Sequence, residues 1–255
     1  MKRAFDHCAD DYARCRPPYP NELAQTLTDK AGPLDDRWAA DVGAGTGIFA
    51  RDLASVGWRV VAIDPSPAML QHIRRDATAA WIGQGSIIPL CATAETTGLA
   101  DESVTLLAAA QAFHWFNPPY ALAEFARILA PGGTLGLIWN NRDAGGSAFV
   151  EAFESLVVRY NPAYRREYRR QDWPGKIATC GGFESARYHR FDHLWRISAE
   201  GFVGFSRSVS YVRNVLSRQQ RPQFEADLRE LIRCHFGNED CRIPLQTDLW
   251  TARRR

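Results

Sequence analysis

Asp41, Gly43, Gly45 and Gly47 occupy alternate positions in the run DVGAGTG at residues 41–47. A glycine held in one conformation loses more chain entropy than any other residue, so three within five residues mark a backbone that turns tightly or approaches something closely. A carboxylate at the head of such a loop suits a cationic ligand better than a pyrophosphate, whose charge it would repel. Asp64 ends a second apolar stretch, WRVVAI, about 20 residues on, as the acid that grips ribose hydroxyls does in nucleotide-binding sheets. Further along, AQAFHWF (110–116) contains His114. Imidazole titrates near working pH, so His114 is a candidate general base, or else a loop-shaping residue hydrogen-bonded to backbone. Trp115 and Phe116 beside it could offer ring faces to a cation or simply pack. The stretch RYNPAYRREYRR (159–170) has five arginines against one glutamate, read as a solvated surface or as an anion-recognising entrance.

These residues need elements to hold them. RWAADV leads into the glycine loop, and the helix after it places Phe49, Leu53 and Val56 on one face, with Gly57 as its stop. WRVVAI (58–63) reads as a buried strand, after which Ser66 caps a helix with Pro67 at its first position. SIIPLCATA reads as a weak third strand, demoted to an edge by Pro89. VTLLAAA (104–110) is a fourth. A helix with Ala121, Phe125, Ile128 and Leu129 on one face is then ended by PGG (131–133), and TLGLIWN (134–140) is a fifth strand. This alternation predicts a parallel sheet with helices on both faces. Beyond Asn141 a helical stripe carries Phe149, Phe153, Leu156, Val157 and Tyr160. ESARYHRFDHLWRI reads as a long strand, followed by two amphipathic helices, one with Phe202, Phe205, Val209, Val212 and Leu216, the other with Phe224, Leu228, Leu231 and Ile232. RIPLQTDLWTARR closes the sheet, and the helical insert forms a lid that includes His193 and Tyr211 as possible substrate contacts.

At 255 residues and 45% hydrophobic, the chain can bury a full core, and its formal net charge of +2 points to no polyanionic partner. No recognition module for nucleic acid is visible. The opening MKRAFDHCADDYARC lacks a signal-peptide core and no run approaches a membrane span, so the expectation is a soluble, cytoplasmic protein. Cys8, Cys15, Cys91, Cys180, Cys234 and Cys241 form no C-x-x-C pair, which suits reduced thiols rather than a zinc site or a disulfide framework.

The glycine loop fits two patterns. Gly45-Thr-Gly47-Ile-Phe-Ala50 matches the dinucleotide fingerprint G-x-G-x-x-G/A, whereas Asp41-x-Gly43-x-Gly45-x-Gly47 matches the D/E-x-G-x-G-x-G signature of class I S-adenosylmethionine (SAM) methyltransferases. Asp41 favours the second pattern. ATAE (92–95), AQAFHWF, LAPGGTLGLIW and the opening FDHCADDYARCRPPYP closely resemble SAM-dependent methyltransferases of the type 11 domain family related to trans-aconitate methyltransferase, most strongly over residues 1–140. The resemblance implies a Rossmann-like α/β fold: a seven-stranded, mostly parallel sheet whose last strand is antiparallel, with helices on both faces and a helical lid. It further implies an N-terminal cofactor-covering segment (1–36), a SAM-binding core (37–142) and a C-terminal part with the substrate lid (143–255). Gly43, Ala44 and Gly45 would then pass under the methionine portion of SAM, near Asp41. Asp64 would bond the ribose diol, with Pro65 and Met69 against the adenine and Ala94 and Glu95 along its edge. Gln111 and Ala112 would stand near the sulfonium. Tyr12 and Arg16 would fold over the cofactor, with Arg16 placed to pair with its carboxylate. Family members often carry an aspartate where Thr105 stands, so a support within strand four is in question. The expected activity is methyl transfer to a small molecule, with S-adenosylhomocysteine as product. A SAM-binding protein without transfer and an NAD-dependent oxidoreductase are the alternatives.

Overall fold

The computed structural model describes residues 14–31, 38–75, 85–143, 145–165 and 171–255. Seven strands form one sheet: β1 (Trp38–Val42), β2 (Arg59–Ile63), β3 (Ser86–Leu90), β4 (Val104–Ala110), β5 (Leu129–Arg142), β6 (Arg187–Ile197) and β7 (Cys241–Arg253). Their order is β3-β2-β1-β4-β5-β7-β6. The first five run parallel, and β7 inserts antiparallel between β5 and β6. This is the doubly wound arrangement with one reversed strand, as the sequence implies. Strands β1 and β2 are apolar and buried along nearly their whole length because helices cover both of their faces.

Helices α1 (Asn21–Ala31), α2 (Ile48–Ser55) and α3 (Pro67–Arg75) contribute Leu27, Phe49, Leu53 and Leu70 to the core on one face, where Trp58 joins them. On the other face, α4 (Pro118–Ile128) and α6 (Trp173–Thr179) pack Phe125 and Trp173 with Phe113 and Trp139. A third core belongs to the lid: α5 (Ala148–Tyr160), α7 (Ala199–Ser208), α8 (Ser210–Arg213) and α9 (Gln220–Phe236), with Phe149, Phe153, Phe202 and Phe224 at its centre. Serine caps start three of these helices, the one at Ser66 as the sequence suggests. The Ser66 hydroxyl accepts from the Met69 amide, and Ser147 and Ser198 accept from Val150 and Gly201.

Three expectations change. Leu129 leaves the helix and opens β5, paired with Val104; PGG follows it inside the strand, where the β4–β5 register shifts. Pairing is restored because the Gly132 amide donates to the Arg254 carbonyl, so this turn is held by the far end of β7. The helix containing Phe202 and Leu216 breaks at Val209, which adopts an extended conformation between α7 and α8. His193 lies in β6 rather than in the lid, with Nε2 3.0 Å from the Thr247 hydroxyl. Thr105, the departure noted in strand four, makes a substitute tie: its hydroxyl donates to the Trp38 carbonyl on β1 at 3.3 Å. No described helix is long and apolar enough to cross a membrane.

Trp58 is buried, and its indole N–H donates to the Thr28 hydroxyl at 2.8 Å, which itself donates to the Ala24 carbonyl. Thr28→Val, nearly equal in shape, leaves that buried donor unpaired and should cost about 1–3 kcal/mol in urea unfolding. Thr28→Ser keeps the hydroxyl and should cost clearly less.

Candidate functional site

The site is built where β1, β2 and β4 end. Gly43, Gly45 and Gly47 all have positive φ (75°, 57° and 81°), a conformation that side chains with a Cβ rarely adopt. At Gly43 a Cβ would stand 2.4 Å from the Ala112 Cβ and 3.0 Å from Phe116 Cζ. The glycine therefore lets the β1 loop close onto the β4 loop. The Gly43 and Ala44 amides donate to the Ile63 carbonyl, binding the loop to the end of β2.

Asp64 completes that link. Its carboxylate accepts from the Gly45 amide at 2.9 Å and from the Ser66 amide at 2.8 Å. It therefore both braces the glycine loop and caps the turn into α3, and each oxygen retains a lone pair for a further donor. Pro65 beside it is partly exposed, whereas Met69 is buried at 3% exposure.

Asp41 is fully buried, and neither carboxylate oxygen has a hydrogen-bond partner. Burial pushes its pKa up to about 8; the nearby charges of Asp64 and Asp52 add to the rise, and the Ala50 amide opposes it. Asp52 on α2 is itself raised to about 6 by burial. An orphaned buried acid at a ligand loop is a cost that a cationic ligand would offset.

At the end of β4, Gln111 has φ 55°, one of two non-glycine residues with positive φ among those described. Its amide donates to the Ile138 carbonyl at 2.8 Å and its side chain to the Asn140 carbonyl at 2.7 Å. Such strain persists where the surroundings hold it, and it clusters at functional sites. Ala112 and Ala94 are buried, and Glu95 accepts from the Asn117 amide at the start of α4. His114 sits in a short 3₁₀ turn (Phe113–Trp115), with Nδ1 3.5 Å from the indole nitrogen of Trp139, whose ring stacks on Trp173 at 4.5 Å. In this pair the Trp139 indole N–H donates and Nδ1 is the accepting nitrogen.

Arg16 bridges the N-terminal segment and the lid. It donates to the Ser208 carbonyl at 2.9 Å and lies 5.7 Å from the Phe205 ring, joining the N-terminal segment to the lid. Asn140 donates to the Pro18 carbonyl, and Tyr19 packs edge-on against Phe49, so residues 16–19 cross from lid to sheet. Tyr12 lies outside the described residues. Within 159–170, Arg159 pairs with Asp227 at an exposed position and Arg165 donates to the Pro162 and Tyr164 carbonyls; residues 166–170 lie outside the described set. Sequence reasoning missed Asn140 and a buried group on the lid side: Arg142, Glu154 and Tyr164. No group of three or more His, Cys, Asp or Glu able to hold a metal occurs among the described residues.

The sheet order, with a glycine loop at β1 and an acid at β2, defines the Rossmann-like class I methyltransferase fold. Residues 40–137 match the family model described as a methyltransferase domain. An uncharacterized methyltransferase-like protein of Schizosaccharomyces pombe is 30% identical, over 90% of this chain and 86% of its own length. An uncharacterized methyltransferase of Mycobacterium tuberculosis is 42% identical, but this match spans 56% of the present chain and only about half, 54%, of that relative. A solved structure from Anaeromyxobacter dehalogenans, assigned to the type II methyltransferases, has a TM-score of 0.70 at 25% identity, over 93% of this chain and 97% of its own. The chain belongs to the methyltransferase family.

Asp41 sets a pH dependence. Its folded pKa lies above the ordinary 3.8, so between about pH 4 and 8 the native state holds a proton that the unfolded chain has released. Stability then falls as pH rises through that window, by about 1.4 kcal/mol per unit in its middle, and levels off above it. Asp41→Asn should remove this slope. In urea titrations at pH 5.5 and 7.5, wild type should lose more stability between the two than the variant; parallel losses would refute the assignment.

Proposed function

We propose that this chain is a SAM-dependent methyltransferase acting on a small acceptor at oxygen, with S-adenosylhomocysteine as product. The observation that carries this reading is the orphaned Asp41 carboxylate at the end of β1, joined to a glycine loop braced by Asp64. SAM is cationic at sulfur and at its amino group, and those charges fit a site whose buried acid has no other partner. The residues present fit the cofactor: Gly43, Ala44 and Gly45 along its methionine portion, and Asp64 on the ribose diol. Pro65, Met69, Ala94 and Glu95 would flank the adenine, with Gln111 and Ala112 nearest the reacting centre. The N-terminal segment, with Arg16 and Tyr12, would cover it. When bound, SAM supplies a methyl group already activated by positive sulfur, so the chain's own task is to align the acceptor and exclude water.

Oxygen is favoured by His114. A histidine that presents Nε2–H donates to an acceptor rather than removing its proton, which suits a carboxylate or an acidic hydroxyl that ionises unaided.

Calorimetry with SAM tests the first claim. Micromolar affinity, about −8 kcal/mol, is expected, with negligible NAD binding; tighter NAD than SAM would overturn the reading. Asp64→Ala should weaken SAM by about 1.5–3 kcal/mol, because hydrogen bonds to a charged group are lost. Once labelled SAM has identified an acceptor among carboxylic acids and hydroxylated metabolites, His114→Ala should lower turnover less than about tenfold. The rate should show no acid limb from pH 8 to 6. A loss of about 10²–10⁴ would instead make His114 the base.

A further inference from the structure

The edge of the lid core contains a charge that cofactor binding leaves unused. Arg142 ends β5 with its side chain 9% exposed, and Glu154 on α5 faces it at 5%. Nε donates to Glu154 Oε1 at 3.0 Å, Nη2 donates to the same oxygen, and Nη2 approaches the Tyr164 hydroxyl at 3.5 Å. The guanidinium lies 5.3 Å from the centre of the Phe153 ring and 5.7 Å from those of Phe205 and Tyr211. Tyr164 and Tyr211 are in turn 4.5 Å apart, ring to ring. Nη1, with two N–H groups, makes no hydrogen bond to any described residue.

Stability does not account for this group. A buried ion pair is often no better than well-packed apolar residues of the same volume, and the lid core around it is almost entirely apolar. The side chain is nine-tenths buried and spends its Nε and Nη2 donors on Glu154 and Tyr164, which leaves the Nη1 donors available to a ligand. The three rings that enclose the guanidinium form the kind of cage that binds an ammonium group, and a resident cation already fills it. An acceptor carrying positive charge is thereby disfavoured, and one carrying negative charge is favoured.

We propose that Arg142 determines acceptor specificity: its Nη1 edge binds an oxyanion carried by the acceptor, a carboxylate or a phosphate. The inference rests on the methyltransferase reading, because only that reading makes the lid an acceptor site. Glu154 holds the guanidinium in place from the opposite edge, and Arg16, across the Phe205 ring, adds a second cation to the same wall.

The test uses the full chain saturated with S-adenosylhomocysteine and titrated calorimetrically with succinate, inorganic phosphate and tetramethylammonium at one ionic strength. At least one of the oxyanions should bind saturably at one site, and tetramethylammonium should not. Stronger succinate binding assigns an organic acid acceptor; stronger phosphate binding assigns a phosphorylated one. Arg142→Lys keeps the charge but loses the planar fork, and should weaken the oxyanion by about tenfold or more while leaving S-adenosylhomocysteine affinity unchanged. If that variant does not fold, the double change Arg142→Gln with Glu154→Gln removes both buried charges and serves the same comparison. Absence of oxyanion binding, binding indifferent to these substitutions, or competition by tetramethylammonium overturns the proposal. Failure of wild type to bind S-adenosylhomocysteine counts against the methyltransferase reading instead, and the oxyanion titration repeated without it separates the two.

Discussion

The architecture of the site depends on one buried amide. Asn140 is 4% exposed at the end of β5. Its carbonyl accepts from the Gln111 side chain, its Nδ2 donates to the Pro18 carbonyl, and its Oδ1 accepts from the Thr247 hydroxyl. Thr247 on β7 is in turn in contact with His193 on β6. One residue therefore ties the strained turn after β4, the N-terminal segment and strands β6 and β7 to a single point. Removing it would leave several buried polar groups unpaired at once, which is why such networks are rigid when complete and costly when broken. Asn140 also explains how Gln111 keeps a left-handed conformation without being glycine: its backbone and side chain are both anchored on β5.

Much of this was legible in the residue pattern, because the strands that build the site are short, apolar and bounded by strong punctuation. The glycine ladder, Asp64 and the Ser66–Pro67 helix start are local signals, and the structure places them together at one end of the sheet. Boundaries failed where tertiary pairing overrode local pattern. PGG reads as a helix stop, yet Leu129 before it already pairs with Val104, and the carbonyl of Arg254 from the far end of the chain satisfies Gly132. Val209 fits the helical stripe by period, but α7 ends there and its side chain still reaches the same core.

The missed residues are those whose roles depend on distant partners. Glu154 did leave a trace: it falls between Val150 and Val157 on the apolar stripe of α5, where an acid needs a buried counter-charge. The identity of that counter-charge was not readable. The arginine-rich stretch at 159–170 drew attention by its density, but its described arginines are occupied at the surface, whereas the single Arg142 is the one enclosed by rings. Isolation in sequence and enclosure in space go together here, since burying several guanidinium groups would exceed what the nearby acids can neutralise.

A buried acid and a buried guanidinium thus stand under different constraints. Asp41 is fully buried, and that burial inclines it to hold its proton, with the Ala50 amide opposing. Arg142 is long enough to find Glu154 and still keep one edge open. A cation arriving at the glycine loop improves the environment of the first, and an anion entering the lid improves that of the second. In the reading proposed above, each ligand would relieve a burial cost already present in the folded chain. That pattern is expected where local rules are broken at functional positions while the surrounding framework obeys them.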